Sequence, residues 1–164
     1  MLRCYANPPA KETMRKPKQH PRAGTIPSAE IVLAYKEAFG MSWWQSLLSL
    51  FNGTFKMADA YYQEADHDSI LTVLEADRAD TIKYIREDFD CDDFAFMLMG
   101  AFHNDERTAA MPIFITWVEW YTDEQRYGHA VLSYYCKGIV NIIEPQNDNV
   151  FLVPDDWSLT VLMG

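Results

Sequence analysis

The 164-residue chain predicts an α+β domain in which N-terminal helices pack on a C-terminal antiparallel sheet. Apolar residues recur at helical spacing up to about residue 103, and short β-branched and aromatic runs follow Pro112. Hydrophobic residues make up 49% of the chain, which is enough for one globular core. We place this domain at residues 28–164. A basic, proline-rich arm that we expect to be flexible precedes it at residues 1–27.

Four helices are predicted in the first part of the domain. Ser28 and Gly40 bracket the first helix, and the second, over residues 42–51, ends at Asn52-Gly53. Asp68 or Ser69 begins the third, and a polar stretch over residues 76–87 follows it. The fourth begins after Asp90, a good N-cap residue. One apolar stripe runs along it, formed by Cys91, Phe94, Ala95, Leu98, Ala101 and Phe102.

Five strands are predicted after Pro112, over residues 113–121, 129–136, 139–143, 150–153 and 159–162. Turn residues separate neighbouring runs, as at Lys137-Gly138 and Asn147-Asp148-Asn149. Such spacing is typical of an antiparallel meander.

The charge of the chain is unevenly distributed. Residues 1–27 hold six Lys/Arg and one acidic residue, whereas residues 28–164 hold eight Lys/Arg and 23 Asp/Glu, a net of −15. An acidic body repels nucleic acid and suits cations or basic partners. The arm is either a plain flexible tail, a contact for an anionic partner, or a segment that folds back on the acidic body. The sequence is compatible with an oligomer.

No apolar run is long enough to cross a bilayer, and none near Met1 is typical of a signal peptide. We therefore expect a cytoplasmic protein without a membrane partner. The three cysteines are odd in number and lack CxxC spacing, which disfavours a disulfide framework and a structural zinc site.

Cys91 is the candidate for chemistry, because the first turn of a helix stabilises a thiolate. Taken alone it also fits a small buried hydrophobic residue. If residues 129–136 and 139–146 form a hairpin across Lys137-Gly138, His129, Glu144 and Gln146 share one face of the sheet. Cys91 would then be a nucleophile, His129 its acid–base partner and Glu144 the group that orients the imidazole. Gln146 is an oxyanion-hole candidate, as are Gln45, Gln63 and Trp120.

Three aspartates, Asp90, Asp92 and Asp93, flank the thiol and oppose its ionisation. Clustered carboxylates suit Ca²⁺ or Mn²⁺, and they equally suit the capping of a helix. Both interpretations remain open at this point.

Three segments resemble the papain-like C-terminal domain of the mushroom lectin Marasmius oreades agglutinin and its bacterial and phage relatives. They are Asp90-Cys91-Asp92-Asp93-Phe94-Ala95, Gly128-His129-Ala130 and Ile143-Glu144-Pro145-Gln146. The resemblance covers roughly residues 60–164. It implies a papain-like fold and a calcium- or manganese-dependent cysteine protease with Cys91, His129 and Glu144 as its triad. It also implies that Asp90 and Asp92 bind the metal.

The chain departs from that lectin in lacking its carbohydrate-binding repeat domain, because residues 1–60 predict a basic arm and helices. A short version of this kind looks like a phage or bacterial accessory protein. Our first hypothesis is a cysteine-dependent hydrolase of peptide or amide bonds with a peptide or protein substrate. The alternatives are a peptidoglycan amidase or endopeptidase, and a non-catalytic binding or structural protein that keeps the fold.

Overall fold

A computed structural model describes residues 24–164. Most of the predicted arm, with Cys4, lies outside these residues. The last residues of that arm, Thr25–Pro27, form strand β1, which pairs antiparallel with β3, Tyr61–Gln63. The helices are α1 (Ser28–Ala38), α2 (Trp43–Leu48), α3 (His67–Ala76) and α4 (Cys91–Asn104). None of the described helices is long and apolar enough to cross a bilayer.

A six-stranded mixed sheet dominates the described residues. Its strands are β2 (Phe55–Lys56), β4 (Ile113–Thr122), β5 (Gln125–Cys136), β6 (Ile139–Glu144), β7 (Asn149–Leu152) and β8 (Ser158–Met163). Their order across the sheet is β2-β8-β4-β5-β6-β7. The last strand returns to pair with β4, and β2 joins β8 in parallel.

The predicted papain-like fold, with N-terminal helices packed on a C-terminal antiparallel sheet, is therefore wrong. Strands from the N-terminal half contribute to both sheets, and the larger sheet is mixed rather than an antiparallel meander. Residues 76–87 hold only a short 3₁₀ turn, Ala79–Thr81. The strands that the prediction missed are two or three residues long, too short to show an alternating pattern.

The core has two parts, one on each face of the sheet. Alternate residues of β5 point to opposite faces. Leu132 and Tyr134 pack in the cluster beneath α3 and α4, whereas Val131 and Tyr135 pack in the cluster beneath α1. Helix α4 therefore lies on the sheet with its first residue, Cys91, beside β4 and β5.

The hairpin register of β5 and β6 is the one we considered from the sequence. Cys136 faces Ile139 and Tyr135 faces Val140 across the turn at Lys137-Gly138. Both turn residues have positive φ, 49° and 86°, which matches the right-handed twist of the flanking strands. This register determines which side chains meet at the far end of the hairpin.

Candidate functional site

His129 and Glu144 meet at the open end of the β5–β6 hairpin. The His129 Nε2 and Glu144 Oε2 atoms are 2.7 Å apart, and each side chain is 17% exposed. The second carboxylate oxygen, Oε1, accepts a hydrogen bond of 3.2 Å from the Gln146 backbone N–H. The turn that follows β6 thus holds the Glu144 carboxylate in place, and this carboxylate orients the imidazole ring of His129.

Cys91 lies at the first position of α4 and lines a cleft that His129 also borders. Along β5, however, His129 alternates with residues such as Ala130 and shares its face with Val131, which packs beneath α1, so its imidazole lies on the other face of the sheet from Cys91. Within the described part of the chain, no hydrogen bond joins the Cys91 thiol to the imidazole. Burial raises the pKa of the Cys91 thiol, and the carboxyls of Asp90 and Asp92 raise it further, against a lowering contribution from the Ala130 backbone. The neutral thiol is therefore the favoured form at neutral pH.

The aspartates beside Cys91 interact with one another. A hydrogen bond between the Asp90 and Asp92 carboxyls lowers the pKa of Asp90 and raises that of Asp92. The Asp90 N–H donates to Asp93 Oδ2 at 3.1 Å, which caps α4, and Asp90 Oδ2 accepts from the Glu87 N–H at 3.3 Å. The capping role that we considered for this run is thus visible in the contacts of Asp90 and Asp93.

The same run has a donor set that fits a cation in part. Ligand atoms of Asp90, Cys91 and Asp92 all lie within 4.8 Å of one another. The two carboxylates are hard donors suited to Ca²⁺ or Mn²⁺, whereas a protonated thiol is a poor ligand for either. Two carboxylates supply only part of the six to eight oxygens that Ca²⁺ takes. Backbone oxygens or water would have to complete such a site.

The cleft has a volume of about 250 Å³ and combines an aromatic side chain with polar ones. Its lining includes Trp117, Glu119 and Arg126 in addition to Cys91 and His129. Arg126 Nε donates to Glu119 Oε2 at 2.7 Å, and a second guanidinium nitrogen, Nη2, contacts the same oxygen. An edge-to-face contact with Phe96 of α4, with ring centroids 6.1 Å apart, holds the indole of Trp117.

Trp117, Glu119 and Arg126 were not among the predicted site residues. We had assigned Trp117 to the core, because both faces of residues 113–121 are apolar. The register could have indicated otherwise, since Trp117 lies opposite Ala130 on the neighbouring strand and therefore shares the face of the sheet on which α4 packs. Among the oxyanion candidates, the Gln146 and Trp120 side chains do not line the cleft, Gln45 caps α2 and Gln63 lies in β3.

No protein-family model matches the chain, and no curated protein sequence matches it either. Its fold is similar to that of solved lectin structures. One is PSL1a in complex with E64, with a TM-score of 0.67 and 17% identity over 86% of this chain and 51% of that one. Another is the Polyporus squamosus lectin bound to the human-type influenza-binding epitope Neu5Acα2-6Galβ1-4GlcNAc, with a TM-score of 0.63 and 17% identity over 86% of this chain and 50% of that one.

The comparison corrects the predicted function. The chain spans about half the length of each of these structures, and the likeness at 17% identity is one of fold. Because these neighbours are lectins, the predicted cysteine-dependent hydrolase is wrong, together with the cysteine protease, thiol protease and papain-like descriptions. The resemblance to Marasmius oreades agglutinin and the assignment of Cys91, His129 and Glu144 as site residues stay predictions.

Proposed function

We propose that this chain is a non-catalytic binding domain whose cleft, which lies at the start of α4 over β4 and β5, binds a carbohydrate. The observation that carries the proposal is the composition of the cleft. An indole and a guanidinium–carboxylate pair line one opening of about 250 Å³. Few but well-placed polar groups beside an aromatic surface are typical of small-ligand sites.

The chemistry of a sugar suits this lining. The C–H face of a pyranose ring stacks on a flat indole, which Trp117 supplies. Neighbouring hydroxyls are both donors and acceptors, so they pair with planar groups such as the Arg126 guanidinium and the Glu119 carboxylate. The two groups already hold each other, which reduces the entropy lost on binding.

The state of the thiol supports binding rather than turnover. Burial and two neighbouring carboxyls favour the protonated form of Cys91, and the thiolate is the form that attacks an acyl carbon. A neutral thiol near Trp117 offers a ligand a largely apolar contact surface with one weak hydrogen-bond donor.

The neighbouring structures support a carbohydrate over other ligand classes. Polyporus squamosus lectin is bound to a sialylated trisaccharide, Neu5Acα2-6Galβ1-4GlcNAc. That property belongs to a chain about twice as long as the matched part. The ligand of the present chain is accordingly our proposal, and a peptide in the same cleft is the alternative partner.

A titration with defined oligosaccharides tests the proposal. The trisaccharide above and its galactose and N-acetylglucosamine fragments would be added to the full chain and followed by calorimetry. We expect saturable binding that Trp117→Ala weakens at least about tenfold, because a stacked aromatic contributes on the order of 1–2 kcal/mol. Tyr121→Ala is the matched control, since Tyr121 is an exposed aromatic residue of the same strand that does not line the cleft.

Two results would contradict the proposal. One is the failure of all oligosaccharides on a glycan array to bind. The other is peptide hydrolysis by the wild-type chain that disappears in Cys91→Ala.

We also propose that Asp90 and Asp92 bind Ca²⁺ or Mn²⁺. Their carboxylate oxygens lie within 4.8 Å of each other, so one divalent cation could contact both. A ligand that binds only the folded state raises the melting temperature. We expect such a rise with Ca²⁺ or Mn²⁺ in the wild type and in Asp88→Asn, but not in Asp90→Asn/Asp92→Asn. An equal rise in all three proteins would contradict this metal site.

A further inference from the structure

The segment 41–55, which contains α2, turns its apolar side chains outward. Six large hydrophobic residues are exposed there: Trp43, Trp44, Leu47, Leu48, Leu50 and Phe51. We call these six side chains the α2 patch. Phe51 is 82% exposed, whereas the neighbouring Ser49 is 4% exposed. This inverted polarity is not what a surface helix of an isolated domain shows, because such a helix buries its apolar residues.

The backbone that carries the α2 patch is held in place. The Ser42 N–H donates to Gln45 Oε1 at 2.8 Å at the start of α2, and Ser49 Oγ donates to the Ser46 carbonyl at 2.7 Å. Lys36 of α1 donates to that same carbonyl at 3.1 Å. Trp43 and Trp44 stack with ring centroids 3.7 Å apart. The exposed side chains therefore form a preformed surface rather than the tip of an unanchored loop.

The size of the α2 patch fits a protein interface. Its three aromatic side chains alone expose roughly 400 Å², and three leucines add to this. The largest apolar patch on a typical monomer is about 300–600 Å². A standard interface buries about 800 Å² on each partner. The exposed area of the six side chains of the α2 patch is thus comparable to the area that each partner buries in a standard interface.

The charge distribution favours a second copy of this chain over a lipid surface. Residues 41–55 contain no charged residue, although residues 28–164 carry a net charge of −15. Helices that lie in a membrane interface have Lys and Arg on their polar face, and α2 has none. Two copies can meet through this neutral surface without bringing like charges into contact.

We propose that the α2 patch is the interface of a symmetric homodimer. A two-fold axis makes such a surface complementary to itself, so that the aromatic residues of one copy meet those of its partner. Trp and Phe at the centre of the interface would contribute most of the affinity. The ligand cleft lies on other elements, so this proposal does not depend on the proposed function.

Sedimentation velocity of the full chain tests the dimer. We expect a concentration-dependent species of twice the 19.0 kDa chain mass. Phe51→Glu and Trp44→Glu are each expected to weaken self-association at least tenfold. Tyr121→Glu, which changes an aromatic residue that is 63% exposed on β4, is expected to leave it unchanged. Circular dichroism confirms that each variant is folded.

Salt separates this interface from electrostatic association. Screening of the two acidic bodies should strengthen a dimer formed through the neutral α2 patch, whereas a contact between a basic arm and an acidic body should weaken as salt rises. A monomer at all concentrations, association that weakens with salt, or a dimer unaffected by both patch variants would overturn the proposal. So would a monomer that binds phosphatidylcholine vesicles through Phe51, since the patch would then be a membrane surface.

Discussion

The Cys91 thiol lies where opposing influences meet. The positive end of the α4 dipole favours a thiolate. Partial burial and the negative charge of Asp90 and Asp92 favour the thiol, and together they raise its pKa. The backbone hydrogen-bonding partner at Ala130 acts in the other direction but does not reverse the balance. A position at a helix start is thus insufficient evidence for a reactive cysteine.

The pH dependence of thiol alkylation tests this balance. With a chelator present, we expect Cys91 in a Cys4→Ser/Cys136→Ser background to react with iodoacetamide through a midpoint above that of cysteine in a short peptide. Asp92→Asn should lower the midpoint and accelerate labelling several-fold at neutral pH, because one negative charge is removed. Asp88→Asn is the control. A midpoint near or below neutral pH would contradict this balance.

Asp148 provides a second test at the scale of one residue. Burial raises its pKa to about 6, and the charges of Asp80 and Asp77 add to the effect. Its Oδ1 atom is buried and has no hydrogen-bond partner among residues 24–164. Because this pKa exceeds the value in the unfolded chain, the folded state loses stability as pH rises from about 4 through 6.

Asp148→Asn removes this charge and keeps the side-chain shape. We expect it to raise the free energy of unfolding at pH 7.5 by about 1 kcal/mol, since solvent screening reduces the full effect of a partly exposed group. At pH 4 the gain should vanish, because Asp148 is then protonated. Urea unfolding at both pH values measures the difference. Asp123→Asn is a matched control, since Asp123 is an exposed aspartate that also has positive φ, 49°. Equal gains at pH 4 and pH 7.5 would exclude the charge as the cause.

The β5–β6 hairpin is the element on which the site depends. Its two-residue turn determines that Leu132 faces Ile143, and Glu144 follows within reach of His129. A slip of one residue in a single strand would move Glu144 to the other face. Lys137 has φ of 49°, a conformation that a residue with an ordinary side chain adopts at a cost.

Replacement of Lys137 by asparagine should therefore stabilise the hairpin. Asn-Gly is the preferred pair for a turn in which both residues have positive φ. We expect Lys137→Asn to raise the free energy of unfolding by about 0.5 kcal/mol. Lys137→Gln, which removes the same charge without the same backbone preference, should give no gain. Thermal unfolding of both variants provides the comparison, and an equal rise would attribute the effect to charge instead.

The elements differ in how well the sequence predicts them. Long periodic segments, such as α4 with Asp90 as its N-cap, follow from side-chain spacing alone. The meeting of His129 with Glu144 also follows, because a two-residue turn leaves one register. Strands β1, β2 and β3 cannot be predicted in this way, because two or three residues are too few to show an alternating pattern. Their pairing also depends on partners that are distant in the sequence. The parallel pairing of β2 with β8, across more than 100 residues, made the predicted fold class wrong.

The same difference between local and long-range contacts decides which site residues the sequence predicts. Cys91, Asp90 and Asp92 are neighbours in the chain, so their association was visible before the structure. Trp117 and Arg126 reach the cleft only through the pairing of β4 with β5. The role of the assembled site was the least predictable property, because a thiol, an imidazole and a carboxylate in sequence order do not determine the protonation state of the thiol.

At the scale of the whole molecule, the sheet separates two surfaces with different properties. One is the cleft at the start of α4, which joins polar groups to Trp117. The other is the α2 patch, which is large, apolar and uncharged. A dimer formed through the α2 patch would carry two copies of the cleft on one particle. Each cleft alone needs only modest affinity if both engage the same surface.

Phe51→Glu separates these two contributions. If the chain is a dimer with one carbohydrate site in each copy, this variant should keep the dissociation constant for a soluble oligosaccharide, because Phe51 does not line the cleft. Its retention on a densely glycosylated surface should fall at least about tenfold, since linked sites gain on the order of 10²–10⁴ in avidity when geometry allows. Trp117→Ala should reduce both quantities, and Tyr121→Glu neither. Calorimetry and surface plasmon resonance on the same preparations give the two values. If Phe51→Glu lowered the soluble affinity as well, the α2 patch and the cleft would not be independent surfaces.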